Sequence, residues 1–194
     1  MLDKIEKRLI DSAIRIVKGG EGCLYVIQIG ELSYEPLIKN DLDKFSIMED
    51  AQQKRMDILA KTDGACIINQ EGELIAYGQK INETKSFEGY GTRNSAAFSA
   101  SLLGNISIMG SQEQKKVKIF KQGGIVMQID CLEKDVEKNT DKAVSLLSSI
   151  GIGTIGAIGT SLAIPALGVM LIPGIIIFSG SHYLINLLKN KELK

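Results

Sequence analysis

The chain carries one long run without a charged side chain, near its C-terminus. Between Lys142 and Lys189 no Asp, Glu, Lys or Arg occurs, which leaves 46 uncharged residues from Ala143 to Leu188. A bilayer crossing needs about 20 apolar residues, so the run is long enough for two helical crossings. Lysines lie at both ends, and positive flanks face the cytoplasm. The sequence therefore predicts a transmembrane helical hairpin in the cell inner membrane, with the soluble domain in the cytoplasm.

The small residues of this run allow two interpretations. Gly151, Gly153 and Gly156 match a dinucleotide-binding pattern, but no acidic residue follows within about 20 positions, so we reject a cofactor site. A second pattern places small residues at every fourth position, which would form one helix face: Ser145, Ser149, Gly153, Ala157 and Ser161. Such a face lets helices approach closely in lipid. It predicts either a tightly packed anchor or an element that oligomerises or forms a pore.

Composition divides the chain into four segments. Residues 1–130 have the mixed composition of a globular domain, and 131–142 are dense in charges of both signs. Residues 143–188 form the uncharged run, and 189–194 form a short basic tail. We interpret the charged segment as a solvated spacer between the domain and the membrane.

Patterns within residues 1–130 predict a mixed α/β domain. Apolar residues recur at helical spacing from Leu2 to Val17, and the two glycines that follow are typical of a helix end. A second helix is predicted over 48–61. Short runs of apolar and β-branched residues predict strands at 23–30, 65–69, 73–79, 106–109, 116–120 and 125–129. The predicted fold class is α/β, with a mixed central sheet flanked by helices.

Composition and charge exclude several classes of function. Lys and Arg number 23, as do Asp and Glu, so no charge excess attracts nucleic acid. The single histidine, His182, lies in the uncharged run, which leaves the N-terminal domain without a Ser-His, Cys-His or multi-His site. Cys23, Cys66 and Cys131 lie far apart in apolar runs and predict reduced core thiols. Carboxylates, glycines, hydroxyls and Arg93 remain, and these groups suit phosphate and divalent metal.

Two tripeptides carry these groups. DGA at 63–65 follows a predicted helix, and GTR at 91–93 precedes a run of small residues, where a loop can feed a helix N-terminus that binds an anion. Both tripeptides, in this order and beside stretches such as GGEGCLYVI and MDILAKTDGACII, resemble the DisA-type family of diadenylate cyclases over about residues 5–129. Members of that family join two ATP molecules into cyclic di-AMP, with divalent metal, across a face-to-face pair of domains.

The resemblance implies a role for each matching residue. Asp63 would be the catalytic residue, which helps to bind metal and activates the attacking ribose 3′-hydroxyl; a carboxylate suits both tasks. Gly64, followed by Ala65, would let the backbone approach the nucleotide. Thr92 and Arg93 would hold phosphate oxygens, one by its hydroxyl and one by its planar charged fork.

The chain also departs from the family pattern. After GTR the family has His and Arg, whereas this chain has Asn94 and Ser95. The family's Ser-Glu is met by Ser111 and Gln112, with Glu113 one residue further on. Losing an Arg–phosphate contact and a carboxylate lowers the rate of catalysis more than it weakens binding. The predicted nucleotide-binding residues are Gly64, Ala65, Gly91, Thr92, Arg93, Asn94 and Ser111, and the predicted metal ligands are Asp63 and Glu113.

Two functions remain open at this point. In the first, the protein is a membrane-anchored sensor of adenine nucleotide, either ATP or a cyclic dinucleotide, with weak or no catalytic activity. In the second, it is a working diadenylate cyclase with Mg²⁺ or Mn²⁺, in which Asn94 and Glu113 substitute for the missing groups. We favour the sensor. Either protein would form a homo-oligomer, through the cyclase-like domain or through the small-residue helix face.

Overall fold

The structure, a computed structural model, describes residues 1–38, 43–82, 91–149, 162–164 and 169–178. Within these ranges the helices are α1 (Leu2–Lys18), α2 (Gln53–Ala60), α3 (Thr92–Leu102) and α4 (Val136–Ser149). A short 3-10 turn, Asp50–Gln52, leads directly into α2. Helix α1 forms because its apolar residues recur on one face, along which Ile5, Leu9 and Ala13 are buried.

One mixed sheet connects eleven strands of the described ranges. They are β1 (Cys23–Ile27), β2 (Tyr34–Pro36), β3 (Phe45–Ser46), β4 (Ala65–Ile68), β5 (Glu73–Ile81), β6 (Ile106–Ser111), β7 (Lys116–Lys121), β8 (Gly124–Asp130), β9 (Leu162–Ile164), β10 (Val169–Ile172) and β11 (Ile175–Phe178). Their order is β2-β5-β4-β1-β6-β7-β8-β11-β10-β9, and β3 pairs with β5. Strands β1 and β4 are parallel, and the other described pairs are antiparallel.

Alternation of side chains along the strands creates two apolar layers. From β1, Tyr25 and Ile27 enter the layer that also contains residues of α1, α2 and α4. Leu24 and Val26 point the other way and pack with small residues of α3, among them Ala97. Of the described helices, α3 alone contributes to this second layer. The predicted mixed sheet with flanking helices is therefore confirmed.

The elements predicted for residues 1–130 match the observed ones closely. Helix α1 and strands β1, β4, β5, β6, β7 and β8 lie where the patterns predict them. The second helix is shorter than predicted, because residues 50–52 form the 3-10 turn and α2 begins only at Gln53. The three cysteines are free and buried, as the sequence predicts.

The uncharged run does not form a helical hairpin where the structure describes it. Residues 169–172 and 175–178 are strands β10 and β11, and β11 continues the sheet from β8 through the pair Ile175 and Ile129. Hydropathy alone does not distinguish a buried strand from a buried helix, and β-branched Ile and Val favour the strand. Within the described ranges, no helix combines the length and the apolar character that a bilayer crossing requires. The predicted transmembrane hairpin is therefore not supported.

Several further predictions fall on residues outside the described ranges. These are His182, the basic tail and three members of the small-residue helix face, Gly153, Ala157 and Ser161.

The charged segment packs on the domain rather than extending from it. Helix α4 crosses the predicted boundary between residues 142 and 143, and it buries Val136 and Ala143 in the same layer as α1. Glu137 forms an ion pair with Lys18 of α1 at 2.6 Å. The segment therefore belongs to the packed structure, whereas the division of the chain into four segments stays a prediction.

Candidate functional site

A cleft of about 670 Å³ opens beside the first turn of α3. Its described lining comes mainly from the turn before β4, from β5, from the start of α3 and from the β6–β7 turn, and residues of β1 and β6 complete it. Every site residue predicted from the sequence lines this cleft: Asp63, Gly64, Ala65, Gly91, Thr92, Arg93, Asn94, Ser111 and Glu113. The two tripeptides, which are separated in the sequence, therefore meet at one place. The chemical role of each residue stays a prediction.

The turn before β4 requires glycine at position 64. Gly64 has a φ of +94°, in the left-handed region. A Cβ atom added there would lie 2.7 Å from the backbone nitrogen of Gln79. The Gly64 backbone N–H donates to Oδ1 of Asp63 at 3.0 Å. Close packing of this turn on β5 therefore holds the exposed Asp63 carboxylate at the cleft.

The first turn of α3 presents backbone donors to the cleft. Gly91 precedes the helix in an extended conformation, with φ −65° and ψ 164°. The Ser95 N–H donates to the Gly91 carbonyl oxygen at 3.1 Å and closes the first helical turn. Thr92, Arg93 and Asn94 precede Ser95 in the chain, so their N–H groups have no carbonyl acceptor within the helix. With the helix dipole, these groups favour a negatively charged ligand.

Arg93 lies against the start of β1. A Cβ atom added at Gly22 would lie 2.6 Å from Nη1 of Arg93 and 3.2 Å from the Gly110 carbonyl oxygen. The missing side chain at Gly22 therefore leaves the space that the guanidinium occupies. No carboxylate of the described residues forms an ion pair with Arg93. Gly22 is not among the site residues predicted from the sequence, although the glycine-rich stretch GGEG contains it.

Asn94 contacts a buried lysine that the sequence analysis also missed. Lys118 on β7 is only 5 % exposed, and its Nζ donates to Oδ1 of Asn94 at 3.4 Å. Burial lowers the pKa of Lys118, and the nearby charge of Lys116 lowers it further. Lysines that alternate with buried Val117 and Ile119 usually mark the solvent face of a strand. Here α3 covers that face, so the sequence alone offered no sign of the burial.

The two predicted metal ligands are exposed carboxylates of the cleft. Glu113 lies in the β6–β7 turn, which Ser111 shapes by accepting the Gln114 N–H at its Oγ over 3.2 Å. Asp63 lies in the turn before β4. Within the described ranges, no three or more His, Cys, Asp or Glu side chains lie together in a group that could hold a metal ion. Mg²⁺ is usually held by one or two carboxylates together with substrate phosphates. Two carboxylates therefore fit an ion that arrives with a nucleotide, and they do not fit a cage built by protein alone.

Comparison with known proteins gives weak likenesses. No protein-family model matches the chain, and no curated protein matches it either. A hypothetical membrane spanning protein from Bacillus cereus is similar with a TM-score of 0.44 and 16 % identity, over 60 % of this chain and 59 % of that one. The match therefore spans less than two thirds of the Bacillus cereus chain. A double mutant of DacA from Staphylococcus aureus is similar with a TM-score of 0.49 and 16 % identity, over 75 % of this chain and 94 % of that one. Neither likeness assigns a function.

Proposed function

We propose that this protein binds an adenine nucleotide, ATP or a cyclic dinucleotide, in the cleft and acts as a sensor with weak or no cyclase activity. One observation carries the proposal: DGA and GTR line a single cleft together with the first turn of α3. The motif resemblance to diadenylate cyclases supplies the class of ligand. The residues of the cleft supply the means of binding it.

The start of α3 would hold the phosphates. The exposed Thr92 hydroxyl can donate to one phosphate oxygen, and the Arg93 guanidinium can donate two parallel hydrogen bonds to the same group. The backbone N–H groups of the first turn add further donors. A hydrogen bond to a charged group contributes about 1.5–3 kcal/mol. Phosphate contacts would therefore supply a large share of the affinity.

The floor of the cleft would hold the adenine base. Leu24, Ile81, Ala96 and Met109 line the cleft, and all four belong to the apolar layer beneath it. A flat heterocycle gains free energy by covering such a surface. A cleft of about 670 Å³ also lies in the size range of ligand-binding pockets.

A divalent metal would be held by Asp63 and Glu113, the two carboxylates in the described lining. Bound Mg²⁺ or Mn²⁺ would neutralise phosphate charge and polarise phosphoryl oxygens. In the cyclase alternative, the Asp63 carboxylate would accept the proton of a ribose 3′-hydroxyl. Its exposure to the cleft and its fixed turn favour that role.

The residues at positions 94, 95 and 112 favour the sensor over the enzyme. The amide of Asn94 cannot accept or release a proton near neutral pH, and it adds no charge. Gln112 lines the cleft but has no carboxylate. Ser95 is 5 % exposed and does not belong to the described lining, so it cannot substitute for a cation there. These differences weaken stabilisation of developing charge more than they weaken nucleotide binding.

Mass spectrometry on the full chain tests the choice. We expect wild-type protein with ATP and Mg²⁺ or Mn²⁺ to bind nucleotide but to form no more than traces of cyclic di-AMP. The double variant Asn94→His with Gln112→Glu should raise synthesis, and Asp63→Asn in that background should abolish it. Ser95 is left unchanged because an arginine at this buried position would disrupt packing. Robust synthesis by wild type that Asp63→Asn removes would establish the cyclase instead.

Membrane location and self-association stay predictions. The uncharged run is the ground for a cell inner-membrane location with a cytoplasmic domain, although β10 and β11 do not support helical crossings within it. Homo-oligomerisation through the domain or the small-residue face likewise rests on the sequence. Fractionation of cells that express the full chain tests the location. Recovery only in the soluble fraction would contradict it.

A further inference from the structure

Lys118 is an unusual residue for the interior of a sheet protein. It lies on the central strand β7 and is only 5 % exposed. No carboxylate of the described residues pairs with it, and its described hydrogen bond goes to the neutral Asn94 amide at 3.4 Å. A buried ammonium without a counter-charge destabilises a protein strongly. An anion bound close by would remove that destabilisation.

The contact between Lys118 and Asn94 also determines which group of the Asn94 amide is available to a ligand in the cleft. A lysine ammonium has three donors and no acceptor, so it must face the oxygen of the Asn94 amide. The NH₂ group of Asn94 then points away from Lys118. Because Asn94 lines the cleft at the first turn of α3, this NH₂ is available as a donor to a ligand.

We propose that Lys118 is a positioning residue of the phosphate site: it orients Asn94 as a donor toward the cleft, and its positive charge makes phosphate binding depend on the protonation of its own side chain. This inference rests on the proposed function, since it assumes that a phosphate occupies the cleft. Lys118 would then act on the bound phosphate through its charge, although it does not itself line the cleft.

The charged and titratable neighbours of Lys118 define the expected pH dependence. Across the sheet its partners are Met109 on β6 and Gln128 on β8, which are neutral. From α3 it meets Asn94, which Arg93 precedes. On the same strand, the charge of Lys116 lowers the pKa of Lys118. Burial also lowers this pKa, by a larger amount. Because a bound phosphate favours the protonated lysine, the pKa rises on binding and the affinity falls as the pH rises through the pKa of the free protein.

Calorimetric titration of the full chain with ATP, between about pH 7 and pH 10, tests the inference. Wild type should lose affinity as the pH rises, and at intermediate pH it should take up protons on binding, as seen by comparing buffers of different ionisation enthalpy. Lys118→Met should bind about tenfold more weakly at pH 7. It should also lose the pH dependence. Lys118→Arg keeps the charge at every pH, so its profile should be flat.

Three further variants serve as controls. Lys116→Met should keep the pH dependence but move it to higher pH, because one cause of the lowered Lys118 pKa is removed. Lys138 does not belong to the described lining of the cleft and pairs with Asp135 at 2.8 Å, so Lys138→Met should leave the profile unchanged. The double variant Lys118→Met with Asn94→Ala should bind ATP no more weakly than whichever single variant binds it less tightly. The reason is that both changes remove the same contact between these two side chains.

The outcomes separate this inference from the proposed function. Unchanged affinity and pH profile in Lys118→Met, together with lost binding in Arg93→Ala, would overturn the inference alone. Absence of ATP binding by wild type would overturn both. Thermal melts of each variant accompany the titrations, and Lys118→Met should fold at least as well as wild type because a buried charge is removed.

Discussion

At the scale of single residues, the guanidinium of Arg93 occupies space that exists because residue 22 is glycine. It lies at the wall of the cleft, and no described carboxylate neutralises it. A guanidinium in that state can bind two oxygens of a phosphate with its planar fork, because it does not first have to leave an ion pair with another described residue.

Substitution of Arg93 should weaken ATP binding directly. We expect Arg93→Ala to weaken ATP binding by about 1.5–3 kcal/mol. Arg93→Lys should recover only part of this loss, because lysine lacks the bidentate fork. Isothermal calorimetry on the full chain measures this. Arg55→Ala is the matched control, since Arg55 lies over the Phe45 ring at 4.5 Å and does not line the cleft. Equal affinities in all three variants would show that Arg93 does not hold the phosphate.

Gly22→Ala should displace Arg93 without removing it. The added Cβ would lie 2.6 Å from Nη1, which is the far end of a flexible side chain and can move. We expect ATP affinity to fall several-fold while the urea midpoint changes little. Gly19→Ala, where the nearest atom would be 3.3 Å away, is the control for the same chain segment. A large loss of stability without any loss of affinity would assign Gly22 a purely structural role.

Motif residues were predictable from the sequence, but their supporting residues were not. Asp63, Thr92 and Arg93 belong to recognisable tripeptides, and the structure brings both tripeptides to the cleft. Gly22 and Lys118 act through contacts with residues distant in the chain. A pattern along one strand cannot show that a helix 20 or so residues earlier covers it.

At the scale of elements, the C-terminal strands complete the first apolar layer. Ile175 and Ile177 of β11 are buried there with Val136 and Ala143 of α4. Strand β11 pairs with β8 over residues 175–177, which ties the uncharged run to the end of the N-terminal domain. These elements therefore belong to the cooperative fold.

A charge at position 177 should unfold this packing. Ile177 is 1 % exposed, and Ile177→Asp should lower the free energy of unfolding by roughly 3–5 kcal/mol through lost burial and a buried carboxylate. Its neighbour Ile176 points to the opposite face and is only half-buried, so Ile176→Asp should have a clearly smaller effect. Urea denaturation of the two variants compares them. Similar small effects would contradict the sheet pairing of β11.

Hydrophobic periodicity predicted the N-terminal elements well and the C-terminal ones badly. Helix α1 has a clear apolar face, and the sequence of β7 alternates lysines with Val117 and Ile119, so their types follow from local sequence. The uncharged run has no Asp, Glu, Lys or Arg side chains to mark a solvent-facing period. Its length suggested membrane helices, whereas β11 is held by pairing with β8, and β10 by pairing with β11.

At the scale of the whole molecule, one sheet joins the cleft to the C-terminal strands. Strand β7 carries Lys118 and pairs with β8, which in turn pairs with β11. Helix α3 lies on one face of this sheet, whereas α1, α2 and α4 lie on the other. The cleft and the C-terminal strands therefore belong to one continuous sheet.

Global stability should fall in alkaline solution because the core contains buried thiols. Burial raises the pKa of Cys23 to about 12 and that of Cys131 to about 11, and it raises the pKa of Cys66 as well. Above the pKa of unfolded cysteine, the unfolded state releases protons that the folded state retains, so stability is complete below about pH 8.5 and falls at higher pH. Each thiol contributes up to about 1.4 kcal/mol per pH unit.

Urea unfolding at pH 7, 9 and 10 measures this effect. The control is the triple variant with alanine at the three cysteine positions, which should show a shallower decline. Tyr25 contributes in the same direction, because burial raises its pKa above the usual value. An equal decline in wild type and the triple variant would mean that the thiols are not the cause.

The proposed function requires that the cleft holds a nucleotide by its phosphates. The most direct measurement is calorimetric titration of the full chain with ATP and with adenosine, each in the presence of Mg²⁺. We predict saturable binding of ATP and binding of adenosine that is weaker by about a hundredfold or more, because adenosine makes none of the charged contacts at Thr92, Arg93 and the α3 N-terminus. Equal affinities for the two compounds, or no binding of ATP, would contradict the claim.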